Sequence, residues 1–360
     1  MAVVTAMRFG PTSGAICVDR ESWHVWRRKT FFSDRLYLPI PEDLADAHGV
    51  ELVYGGVGHP PFHQEVMERA TELLRASMEA GVTLVDPLAR VVLEAFSEVR
   101  RRRVDDRLRF LFGFDSHDFL GGAYEREGRE CAISQGGVKS RAGAIIQGKE
   151  RLGYAPLTIP LEACIIGVDR TFGFNAFVIK DEEGVVSFQS CGFEALGQGR
   201  TVAAARFAKH LNRRFVDQRR DGPGAAEGWM VLLEATLEAY DHFGQVGGGI
   251  RGLELRADGH SRMERVRMLG DDRARLAMEV LRAVKEDQLS RPRGKELVEK
   301  LLDKTTETDV VEATLFDECG DRLVLEKILR GYKVDSRPLP AGRGTLAWLP
   351  VKTAVEGGRQ

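Results

Sequence analysis

The sequence predicts a layered α+β protein in which strands and helices come in blocks. Three observations carry this. The chain opens on an apolar β-hairpin. A glycine-ended strand then runs into two amphipathic helices. A three-stranded meander near residue 163 leads into two further helices and a strand. Blocks of this kind fit packed layers better than a repeated strand–helix–strand winding.

Residues 3–9 are mostly apolar, with β-branched Val3, Val4 and Thr5, and suit a strand. Gly10-Pro11-Thr12-Ser13-Gly14 has the composition of a turn, and residues 15–20 return as a second strand. Residues 23–32 read as a further strand. Residues 36–41, marked by Pro39 and Pro41, read as an extended connection. A strand over 50–54 ends in Gly55-Gly56-Val57-Gly58. Pro60 and Pro61 open a helix, where a missing amide hydrogen costs little. Phe62, Val66, Ala70, Leu73 and Leu74 recur on one face of it, and Gly81 ends it. A second helix over 87–107 carries Leu88, Val92, Phe96 and Val99.

Residues 110–161 are glycine-rich and irregular, and read as an insertion or lid without a core of its own. Strands follow over 163–169, 172–180 and 184–189, then helices over 201–214 and 229–243. Gly247-Gly248-Gly249 opens a strand over 250–256. Beyond residue 260, charged helices over 273–286 and 294–304 and strands over 310–316 and 345–351 read as an appended unit. The expected division is therefore a domain over 1–260 and a C-terminal extension over 261–360.

With 360 residues, 43% hydrophobic and 29% charged, the chain can bury a large core. A net charge of −2 argues against a dedicated nucleic-acid binder. Arg100 to Arg103 are followed at once by Asp105 and Asp106, which reads as a solvated helix face. The five cysteines form no CxxC pair, so no metal site is expected and reduced thiols in a cytoplasm fit. No apolar run is long enough for a membrane span, and no signal peptide is evident. No cofactor is expected.

Three segments, in order, carry a resemblance. They are the hairpin ending in Val18-Asp19-Arg20, the run Leu52-Val53-Tyr54-Gly55-Gly56-Val57-Gly58 before a helix, and the stretch from Cys164 to Gly199. Together they resemble proteasome β-type subunits and their bacterial relatives, which are N-terminal nucleophile hydrolases. The resemblance implies a four-layer αββα sandwich over 1–260, and the residues beyond it read as an α/β extension. It also implies a homo-oligomer or ring, a peptide or protein substrate, and threonine-type peptidase or amidase chemistry. In that chemistry a terminal threonine attacks the carbonyl while its own amine takes the proton. Carried onto this chain, Thr5 is the nucleophile once residues 1–4 are removed. Asp19 and Lys29 set its charge environment, with Arg27 and Arg28 competing for the lysine's place. Gly55, in the Gly55-Gly56 pair, donates an amide to the oxyanion.

The chain departs from the pattern in places. The family's spacing puts the nucleophile near Val3 or Val4, and removal of Met1 alone would leave Ala2. Gln198 and Val246 stand where serines are expected. These departures give an alternative: a non-catalytic subunit acting in ring assembly or binding. A third reading takes Gly197-Gln198-Gly199-Arg200-Thr201 as a nucleotide-binding turn. The third glycine is absent and no acidic residue closes a second strand about twenty residues on, so a tight strand-to-helix turn is the plainer reading. Cys17 reads as a buried structural thiol.

Overall fold

A computed structural model describes residues 3–19, 21–24, 29–32, 35–149, 151–152, 155–156, 161–180, 184–188, 192–211, 222–242 and 249–319. The opening hairpin is present as β1 (Val3–Arg8) and β2 (Ser13–Asp19). Next come β3 (Leu36–Tyr37), α1 (Glu42–His48), β4 (Glu51–Val57), α2 (Pro60–Glu79) and α3 (Val85–Phe112). After α4 (Ser116–Gly121) and α5 (Gly136–Ile146) the meander forms as β5 (Glu162–Asp169), β6 (Gly173–Lys180) and β7 (Gly184–Ser187). Then follow β8 (Phe193–Gly197), α6 (Arg200–Leu211), α7 (Ala225–His242) and β9 (Ile250–Arg256). The described chain closes with α8 (Arg262–Arg265), β10 (Val266–Leu269), α9 (Asp271–Lys285), α10 (Arg291–Leu302) and α11 (Thr308–Glu318).

The strands make two five-stranded sheets, ordered β8-β1-β2-β9-β10 and β7-β6-β5-β4-β3. Neighbouring strands in both are antiparallel. Alternation along the opening hairpin sorts its side chains onto two faces. Val4, Ala6, Ile16 and Val18 point one way and pack with Val53, Val57, Ile166 and Val168 of the other sheet. Val3, Met7, Ala15 and Cys17 point the other way and pack with Trp229, Leu232 and Leu233 of α7. On the far face of the second sheet, Leu52, Tyr54 and Ile165 pack with Phe62, Val66, Leu88 and Val92 of α2 and α3. Each fully buried Leu, Val or Phe contributes about 1.5–3 kcal/mol by leaving water. The helix stripes read from sequence are therefore the faces that cover the sheets.

Some expectations need correction. Residues 23–32 are not one strand. Glu21–His24 and Lys29–Phe32 pair as a short hairpin. The insertion is not coreless: Leu108, Phe114, Ile133, Ala142 and Ile145 form a small cluster of their own. Its apolar positions are sparse because Gly113, Gly122 and Gly128, all at positive φ, break the periodicity between short elements. The strand expected over 310–316 is helix α11. Val311 and Leu315, four residues apart, are buried together on the core of the first sheet, and that packing overrides the β-branched composition. The strand expected over 345–351 lies outside the described residues. Past residue 260, β10 adds an edge strand by pairing with β9, and α9 and α10 bring Leu276, Val280, Leu297 and Val298 to the core under α7.

Candidate functional site

The end of β2 faces the start of β1. Asp19 Oδ1 accepts a hydrogen bond from the Val3 amide at 2.9 Å, and both residues are buried. The guanidinium of Arg35, also buried, lies 3.6 Å from the same oxygen. Burial lowers the arginine's hold on its proton, and Asp19 works against that. The Arg35 carbonyl in turn accepts the Gly56 amide at 3.1 Å. Val3, Asp19, Arg35 and the Gly55-Gly56 strand thus meet where the two sheets come together.

Gly55 sits inside the second sheet, paired with Leu36 on one side and Cys164 on the other. A Cβ there would lie 2.6 Å from Ile16 Cδ1 and 3.3 Å from Val4 Cγ1, so glycine permits the close approach of the sheets. Gly56 has a different neighbour. A Cβ on it would lie 2.4 Å from the ring of His63. That ring is buried, with Nε2 2.9 Å from the Val57 carbonyl and Nδ1 2.6 Å from the Tyr54 hydroxyl. A carbonyl only accepts, so Nε2 carries the proton and the Tyr54 hydroxyl donates to Nδ1. Burial holds His63 down to about 4, so it is neutral at ordinary pH.

Thr5 lies on the other face. It pairs with Cys17 and Ala195 in the middle of the first sheet and is fully buried. Its Oγ1 is 2.6 Å from Thr236 Oγ1, and Thr236 gives its own proton to the Leu232 carbonyl at 2.8 Å. The Thr5 hydroxyl therefore donates to Thr236. Strand alternation turns it toward α7, away from Gly55 and from the gap between the sheets. Lys29 begins the second strand of the short hairpin, and its side chain lies outside the described part, as do Arg27, Arg28 and Val246.

The expected site residues are thus brought together only in part. Asp19 and the Gly55-Gly56 strand meet through Arg35, while Thr5 stands apart. Arg35 escaped the sequence reading because Asp34-Arg35-Leu36 carries no periodicity that marks a buried cation. His63 follows Phe62 on the apolar stripe of α2, a pattern that signals burial but not a partner in the adjoining strand.

Cys17 is fully buried, and burial pushes its thiol far above the ordinary value, as expected of a structural cysteine. At Gly199 a Cβ would lie 2.6 Å from Ala239 Cβ and 3.3 Å from Val3 Cγ2, so this glycine serves the approach of α7 to the first sheet. Two surface recesses, of about 290 and 420 Å³, lie on α2–α3 and beside α10, neither touching Asp19. Among the described residues no group of three His, Cys, Asp or Glu side chains could hold a metal ion. No described helix is long and apolar enough to cross a membrane.

No protein-family model matches the sequence, and no curated protein matches it. Among solved structures, Anbu (ancestral beta-subunit) from Yersinia bercovieri matches at a TM-score of 0.50 and 14% identity, over 79% of this chain and 93% of that one. In fold, this chain is similar to Anbu. A second Anbu, from Hyphomicrobium sp. strain MC1, gives a TM-score of 0.49 and 13% identity, over 80% of this chain and 97% of its own. The likeness to Anbu is one of fold, with mixed α/β architecture and antiparallel sheets. It agrees with the layered α+β fold expected from the hairpin, the glycine-ended strand and the meander.

Proposed function

We propose that this chain is a proteasome-like β-type subunit, a four-layer αββα sandwich, that serves homo-oligomeric assembly or binding rather than threonine catalysis. The layering rests on the core between the sheets and the helix cores on their two outer faces. The functional reading rests on one observation above all, the Val3 amide bound to Asp19. That bond fixes the register of β1. The residue next to it, on the parity that faces the other sheet, is Val4, whose side chain cannot attack a carbonyl. Thr5 follows on the opposite parity, with its proton committed to Thr236. Among the described residues, the cation beside Asp19 is an arginine, which stays protonated and is a poor proton relay.

Thr5→Val tests this reading. Valine keeps the shape and removes one hydroxyl, so the fold is expected to lose about 0.5–1.5 kcal/mol in a urea titration. Association, followed by light scattering, should be unchanged, and neither protein should cleave fluorogenic peptide amides. Peptide cleavage that the variant abolishes would restore the threonine peptidase.

A further inference from the structure

The two most exposed large apolar side chains among the described residues are Phe110, at 87%, and Leu120, at 82%. Phe110 sits in the last turn of α3 and Leu120 near the end of the short α4 that follows. The small cluster below them buries Leu108 and Phe114 and leaves these two outside. The surroundings are basic. Residues 99–112 hold six arginines and two aspartates, and Arg101, Arg102, Arg107 and Arg109 are exposed.

On the opposite side of the molecule α11 has the complementary character. Residues 305–319 hold five acidic side chains and no basic one. Val311 and Leu315 hold the helix to the core of the first sheet, while Val310 is 56% exposed beside the exposed Asp309 and Glu307. An apolar side chain set among arginines thus matches one set among carboxylates. Because α3 lies on the outer face of the second sheet and α11 packs on α9 and α10, on the helix side of the first, one molecule cannot close this contact on itself.

We propose that the Phe110 corner of one copy docks on the Val310 face of α11 of a second copy. This rests on reading the chain as an assembling subunit and names the surface that assembly uses. Such a contact is heterologous, with a different patch from each partner, so in a pair one copy keeps a free corner and the other a free α11 face. Rings or open helices follow from it. The charges around the apolar contact make association weaken as salt rises.

A heterologous contact has a distinctive test. Phe110→Asp spoils the corner and leaves α11 intact, while Val310→Lys does the reverse. Both positions are exposed, so thermal melts should match the unaltered chain. In sedimentation velocity the unaltered chain is expected to grow beyond a dimer with concentration. Each variant alone should stay monomeric. Their equimolar mixture should form a dimer and nothing larger, joined through the one intact pair of surfaces. A variant that assembles like the unaltered chain, or a mixture that stays monomeric, overturns this interface and leaves the assembly reading standing. An unaltered chain that stays monomeric at every concentration overturns both.

Discussion

Arg262→Ala is expected to cost the fold about 3–5 kcal/mol at neutral pH, because it strips the partner from a buried carboxylate. Glu51 opens β4 and is fully buried. Arg262 grips it from the first sheet's side, Nε at 2.6 Å from one carboxylate oxygen and Nη2 at 3.0 Å from the other. The same Nη2 donates to the Ile40 carbonyl at 2.5 Å, and the Arg262 amide donates to Asp46 at 2.5 Å. Arg265, also buried, donates to the Ala45 carbonyl at 2.8 Å and to Asp46 at 2.6 Å. The four-residue α8 thereby ties β9 and β10 to α1 and β4.

Burial raises Glu51 above the ordinary carboxylate value, and Arg262 opposes that rise. Without the arginine the rise is larger. A carboxylate raised in the folded state destabilises as it ionises, so the loss in Arg262→Ala is small where Glu51 is protonated in both states, well below pH 4.5, and grows as pH rises. Pairing Arg262→Met with Glu51→Gln should recover most of the loss, since no charge is then left buried. A single variant that loses less than about 1 kcal/mol at neutral pH would mean that the pair behaves as an exposed one.

The second large effect is acid lability through His63. Its folded value is about 4 and its unfolded value 6.5. A histidine depressed in the folded state gives stability that is complete above its unfolded value and is lost as pH falls toward its folded one. The interval from 6.5 to about 4 is worth about 3 kcal/mol. Urea midpoints should therefore fall across that interval, and fall less in His63→Gln, which has no ring to protonate. Equal slopes for the two proteins would mean that His63 charges freely inside the fold.

The parts of the fold legible in the sequence are those where one periodicity rules. The opening hairpin needs only alternation and a glycine-rich turn. The α2 helix needs only two prolines and a 3.6-residue stripe. The α11 helix is not legible, because Val310-Val311 has strand composition and only burial of Val311 and Leu315 against α9 and α10 decides the matter. At the site, Asp19 was legible because it ends a strand in a recognisable order of segments. Arg35 was not, because a buried arginine is specified by the charge it meets sixteen residues away and leaves no local mark. The orientation of Thr5 was legible in principle. Alternation from Val4 puts it on the face opposite the second sheet, and spacing alone does not reveal that.

On the proposed function, β1 keeps Val3 and Val4 and offers no threonine nucleophile. Intact-mass measurement of the purified protein, with peptide mapping of its first strand, tests this most directly. Peptides in which Val3, Val4 and Thr5 remain contiguous are expected, and no adduct with an electrophile that requires a terminal hydroxyl and amine together. A mature chain that begins at Thr5 and takes up that electrophile would contradict it.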